Sequence, residues 1–135
     1  MFVWPVRVYY EDTDSGGVVY YANYLKFMER ARTEWLRARG VEQDALSHER
    51  RLVFAVRSLS VDYHRPARFN DLLAVSSRVV EVRGASILFE QTVQRDPSAE
   101  VLCDARVRVA CIDADTFRVR RLPGRLVGEI EGESR

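Results

Sequence analysis

Cysteine and histidine are scarce in this chain, two of each in 135 residues. These four soft ligands show no CxxC or HxxxH spacing, which argues against a structural metal site. Cys103 and Cys111 lie eight apart in one strand-like stretch, so they share a face about 27 Å apart and cannot pair with each other there. A basic excess is missing as well. Lys+Arg number 21 against 20 Asp+Glu, a formal net charge of +1, without the footprint of a nucleic-acid binder. No apolar run reaches the roughly 18–20 residues of a membrane helix. The start, Met1-Phe2-Val3-Trp4-Pro5-Val6, lacks the basic and apolar regions of a secretory signal. The cytoplasm is therefore the expected compartment. Lysine is nearly absent too: Lys26 is the only one among the 21 basic residues. GC-rich codon usage accounts for this more simply than the ion-pair networks of heat adaptation.

What is present fits one soluble domain over residues 1–135. The composition is 47% hydrophobic and 30% charged, ordinary for a globular chain. The length is far below the roughly 250 residues of an eight-fold βα barrel. Phe2 to Tyr10 alternates and reads as a strand. Ala22 to Arg39 reads as the one long helix, with Tyr24, Phe27, Met28, Ala31 and Trp35 on a single stripe and Gly40 as the stop. That stripe predicts core burial, with Arg30 and Glu34 ion-paired on the opposite side. A polar loop through Glu49-Arg50-Arg51, with His48 at the surface, leads to four strands: Leu52 to Tyr63, Leu72 to Val82, Ser86 to Arg95 and Val101 to Ile112. Phe117 to Arg121 reads as a short last strand. Leu122 to Glu131 is expected to form a terminal helical turn, with Pro123 near its start. The order β–α–β–β–β–β–β predicts an α+β fold, an antiparallel sheet of five or six strands with the helix on one face. Its uncovered edges invite pairing with another subunit.

The segment Tyr10-Glu11-Asp12-Thr13-Asp14-Ser15-Gly16-Gly17, followed by Val18 to Tyr24, carries the chemistry. Three carboxylates sit in a loop, where functional side chains are often presented. Two glycines permit a sharp bend. The helix then begins near Tyr21 or Ala22, where its first N–H groups have no internal partner and favour negative charge. A carboxylate facing such an N-terminus could attack a carbonyl, or activate water toward one, while the N–H groups polarise the oxygen. The plain alternative is that Asp12 or Asp14 caps a turn and the glycines only punctuate.

At these residues the chain resembles the hotdog-fold acyl-CoA thioesterases of the 4-hydroxybenzoyl-CoA thioesterase family, most closely the tol-pal-associated branch. The resemblance rests on Asp12-Thr13-Asp14 with Gly17, Val19-Tyr20, Asn23-Tyr24 and Glu29-Arg30-Ala31-Arg32. It continues through Ser60-Val61-Asp62-Tyr63, Pro66-Ala67-Arg68, Asp71, Arg83-Gly84-Ala85-Ser86 and Pro123. It implies the hotdog fold, one long central helix wrapped by a five- to six-stranded antiparallel sheet. It implies Asp14 as the catalytic carboxylate, either nucleophile or general base, and the main-chain N–H at Tyr21 as the group that polarises the thioester. Much of the branch has histidine at position 21. Tyrosine removes a group that titrates near neutrality but keeps the N–H.

The resemblance further implies that Gly17 and Arg83-Gly84-Ala85-Ser86 lie beside coenzyme A, with His64, Arg65 and Arg68 as a second basic group for its phosphates. Glu29 either orients the site or pairs with Arg32, and the pairing is the simpler expectation. No cofactor is implied beyond the coenzyme A of the substrate. In relatives the site lies between subunits, so a homodimer or homotetramer is expected. The rivals are a non-catalytic acyl-CoA-binding or scaffold module, and a dehydratase on the same fold. The dehydratase is disfavoured because no histidine stands near the motif in sequence. Pocket depth is expected to depend on Trp35, Phe54 and Leu59.

Overall fold

The computed structural model describes residues 2–134, with side chains from Phe2 through Ile130. Strand β1 is Phe2–Arg7, helix α1 Asn23–Ala38, helix α2 Gln43–Arg50, strand β2 Leu52–Tyr63. Strands β3 (Leu72–Arg83), β4 (Ser86–Asp96) and β5 (Glu100–Asp113) follow, and helix α3 spans Gly124–Ser134. The five strands form one sheet in the order β1-β3-β4-β5-β2, antiparallel throughout. Pro5 is tolerated because β1 is an edge strand, where one side of the backbone needs no ladder bond.

Helix α1 packs across β1, β3 and β4. Its stripe of Tyr24, Phe27, Met28, Ala31 and Trp35 is buried as expected, and Trp35 stands edge-on to Phe89 with ring centroids 5.3 Å apart. Trp35 is 1% exposed, so it closes the core rather than lining a pocket. The sheet's α1 side is mainly apolar, with Val75, Val79, Phe89, Val93, Val107 and Val109 buried and Ser77 and Gln91 as buried polar exceptions. Its other side is ionic. Glu90 of β4 joins Arg78 of β3 at 2.8 Å and Arg106 of β5 at 3.1 Å.

The β2 end of the α1 side is less covered. Val56, Leu59 and Tyr63 pair with or next to buried β5 residues that face α1, yet they are 46%, 43% and 45% exposed. Phe54, on the same strand, is half-buried at a cavity of about 100 Å³ beside Arg32 and Thr33.

Several boundaries differ from expectation. Strand β1 stops at Arg7 because Tyr10–Asp12 winds into a short 3-10 turn, where the Asp12 carboxylate accepts the Tyr9 N–H at 2.8 Å. The polar stretch before Arg51 is helix α2, which contains His48. It lacks an apolar stripe, and only Leu46 packs against the core. The expected strand Phe117 to Arg121 reduces to a single bridge, Ile112 to Val119, with Phe117 at φ 60. The terminal turn is a full helix, burying Leu126 and Ile130. Glu34 pairs with Arg37, one turn on, while Arg30 lies 5.9 Å from the Phe27 ring centroid. Glu29 accepts from Thr33 at 3.0 Å. Arg32 turns inward to the Gln91 side-chain oxygen at 3.0 Å, so the two do not form the expected pair.

Candidate active site

The motif folds as a small hairpin laid against the entrance of α1. Asp14 N–H donates to the Val18 carbonyl at 2.9 Å, and Gly17 N–H returns to the Asp14 carbonyl at 3.1 Å. Gly17 sits at φ +83, a conformation that side chains resist. A Cβ on Gly16 would stand 3.1 Å from the Asp14 carboxylate, which accepts the Gly16 N–H at 2.8 Å. The two aspartates therefore differ in role. Asp12 is spent on the Tyr9 N–H, as a turn-capping aspartate would be. Asp14 is exposed, and its carboxylate is engaged by the Gly16 N–H, leaving the second oxygen open to solvent.

The connection from β2 to β3 supports this hairpin from below. Val19 N–H donates to the Ala67 carbonyl at 2.8 Å, and Val18 bridges Arg68. Buried Ala67 is itself fixed, its N–H donating to the Tyr24 hydroxyl at 2.9 Å. Asp71 accepts from the Arg68 N–H at 2.9 Å and pairs with Arg95 at 2.6 Å. Arg95 also donates to the Pro66 carbonyl at 2.9 Å. Pro66, Ala67, Arg68 and Asp71 thus form one frame under the motif.

Helix α1 opens with Ala22 at its cap position and no side-chain cap. Neither the Tyr21 N–H nor the Ala22 N–H donates to a protein acceptor among the described residues. Both lie at a helix N-terminus, where such groups attract an oxyanion. Tyr21 is 62% exposed, its ring tilted against Tyr20 at 4.8 Å and edge-on to Tyr63 at 6.3 Å. The Tyr20 phenol is pushed up chiefly by the Tyr21 hydroxyl, with a smaller contribution from the Asp14 charge. A cleft of about 250 Å³ opens here, lined by Val19, Tyr21, Tyr24, Tyr63, His64, Arg65 and Pro66.

The structure brings Asp14, Gly17, Tyr21, His64, Arg65 and Arg68 to one end of the sheet. His64 borders the cleft despite its distance from the motif in sequence. Its imidazole, however, lies 2.7 Å from the Asp104 carboxylate. Cys103 and Ala105, the neighbours of Asp104, are buried toward α1, so Asp104 projects from the opposite side. Arg65 pairs with Glu100 at 3.5 Å. The Arg83-Gly84-Ala85-Ser86 turn is not at this end. It joins β3 to β4 at the far end of a twelve-residue strand, roughly 36 Å from Leu72. There Arg83 pairs with Glu81, Gly84 has φ +45, and the buried Ser86 hydroxyl accepts from Arg108 at 3.1 Å. Two residues that the sequence offered only as part of the resemblance, Tyr63 and Asn23, take up roles at the site that sequence reasoning did not assign. Tyr63 donates to the Tyr21 carbonyl at 2.9 Å and Asn23 to the Asp12 carbonyl at 2.8 Å, across separations of 42 and 11 residues that no local rule flags.

Comparison with known proteins gives a consistent picture. Residues 8–129 match the family model described as the thioesterase-like superfamily. The acyl-CoA thioesterase YbgC of Haemophilus influenzae is 54% identical over 122 residues, covering 90% of this chain and 88% of that protein. The acyl-CoA thioester hydrolase YbgC of Escherichia coli O6:H1 is 45% identical over 131 residues, covering 97% of this chain and 96% of that protein. The solved structure of a probable thioesterase from Bartonella henselae superposes with a TM-score of 0.84 at 36% identity, covering 90% of this chain and 98% of that one.

Proposed function

The chain belongs to the thioesterase-like superfamily, and from that membership we infer that it is a hotdog-fold acyl-CoA thioesterase, hydrolysing an acyl-CoA to free acid and coenzyme A. The observation that carries the reading is the unpartnered Tyr21 N–H beside a hairpin that leaves Asp14 open to solvent. The thioester carbonyl oxygen accepts from the Tyr21 N–H, which stabilises charge as it develops on that oxygen. Asp14 then acts by one of two routes. As general base it takes a proton from water, whose oxygen attacks the carbonyl carbon. As nucleophile its own oxygen attacks, and water later cleaves the resulting anhydride. Either way the C–S bond breaks and the coenzyme A thiolate leaves to be protonated.

Gly17 keeps the backbone low beside the ligand, and His64, Arg65 and Arg68 supply donors for its phosphates. The Arg83, Gly84 and Ser86 turn joins the same site only when a second copy of the chain supplies it, because one chain holds it at the opposite end of the sheet. That separation, with the half-exposed apolar residues of edge strand β2, supports a homodimer or homotetramer, and the cytoplasm is the compartment we propose for it. Among the described residues no helix is long and apolar enough to cross a membrane.

The test is thiol release from short-chain, long-chain and aroyl thioesters of coenzyme A, with carrier-protein thioesters alongside. Turnover of at least one class is expected. Flat traces across the whole panel would favour the non-catalytic binding module instead.

A further inference from the structure

Asn23 occupies a position that helix physics does not explain. Asparagine is favoured at a helix cap, where its oxygen accepts main-chain N–H groups. Here the cap residue is Ala22, and Asn23 is one residue inside α1. Its side chain does not cap. It reaches back eleven residues, its Nδ2 donating to the Asp12 carbonyl at 2.8 Å in a half-buried setting. That carbonyl also accepts the Tyr20 N–H at 3.0 Å, so both of its lone pairs are engaged. The Asn23 N–H in turn donates to the Tyr20 carbonyl at 2.8 Å. The three bonds close a ring through Asp12, Tyr20 and Asn23. Tyr21 lies between Tyr20 and Asn23, and Asp14 lies two residues after Asp12, within the loop that the Asp12–Tyr20 bond closes.

We propose that Asn23 is a positioning residue whose side-chain amide locks the hairpin bearing Asp14 to the helix entrance bearing the Tyr21 N–H. The inference rests on the reading that these two groups act together on one thioester. Two of the ring's bonds are main chain to main chain. The Asn23 amide is the only side-chain link, and the one that substitution can remove. Without it the carboxylate arm shifts relative to the oxyanion donor, and a misplacement of about 1 Å costs on the order of a hundredfold in rate.

The experiment compares wild type with Asn23→Ala, which removes the donor and is a better helix former, and with Asn23→Ser, which retains a donor. For Asn23→Ala, kcat should fall about ten- to a hundredfold, KM should stay within about twofold, and the unfolding midpoint should hold. Asn23→Ser should recover part of kcat. Hydrogen exchange at the Tyr20 N–H, which shares the Asp12 carbonyl, should be faster in Asn23→Ala whether or not any substrate turns over. An active wild type with unchanged kcat in Asn23→Ala overturns the lock. So does a loss of kcat that merely tracks a lowered unfolding midpoint, and so does unchanged exchange at Tyr20. An inactive wild type whose Tyr20 exchange still rises on substitution upholds the lock and removes the thioesterase reading.

Discussion

The Tyr63 hydroxyl donates to the main-chain carbonyl of Tyr21 at 2.9 Å. It ties the last residue of β2 to the residue whose N–H we propose as the oxyanion donor. The Tyr63 ring is held edge-on by Tyr24 at 5.5 Å, and burial pushes its phenol up, so it stays a donor at neutral pH. Tyr63→Phe keeps the ring and loses the bond. A net hydrogen bond is worth about 1 kcal/mol, so kcat should fall roughly fivefold. Steady-state kinetics with the best substrate checks this. Unchanged kcat would mean that the Tyr21 peptide holds its orientation without β2.

Gln91 is fully buried at the centre of the sheet. Its Nε2 donates to the Met28 carbonyl and to the Ser77 hydroxyl, both at 2.9 Å, while its oxygen accepts from Arg32 at 3.0 Å. Gln91→Leu fills similar volume but strands a desolvated guanidinium and a buried hydroxyl. It should destabilise the fold by about 3 kcal/mol, read as a lower urea midpoint at unchanged slope. A loss below about 0.5 kcal/mol would show that water replaces the amide.

The ionic side of the sheet sets an acid limit. Arg78 and Arg106 hold the Glu90 carboxyl below its usual range. N–H groups of Thr116 and Asp115 do the same for Asp113, and Arg51 does so for Asp115. In the unfolded chain such groups titrate at about 4. Their stabilisation is fully present above that value and is lost as pH falls through the lower folded values. Unfolding midpoints should be flat with respect to these groups above about pH 5 and fall below it. Glu90→Gln should lower the plateau and make the acid slope shallower. An identical slope in the variant would assign the acid loss to other groups.

Much of the fold was legible because strong periodicity decides it. The Tyr24-to-Trp35 stripe buries as read, and β2 to β5 fall within about a residue or two of their expected limits. Helix α2 was not legible, because a polar eight-residue segment depends on tertiary packing at Leu46 rather than on a stripe of its own. Phe117 to Arg121 has strand-like residues but bonds β5 through one bridge only. At the site, the Asp14 loop and the helix entrance at Tyr21 were legible from glycines and carboxylates in order. The supports from Asn23, Tyr63 and Ala67 were not, since each is a long-range bond to main chain. Nor could spacing reveal that Arg83 and Arg68 lie at opposite ends of one sheet, since that follows from register.

The central claim is that Asp14 activates the attack on the thioester. Coenzyme A release by Asp14→Asn, beside coenzyme A binding by the same variant, tests it most directly. Cys103 and Cys111 are buried and unpaired, and burial pushes the Cys103 thiol up to about 12, so the protein adds little background to a thiol assay. The account predicts that turnover falls by about a thousandfold or more, while affinity for coenzyme A stays within about twofold. An Asp14→Asn protein that releases coenzyme A at the wild-type rate would contradict it.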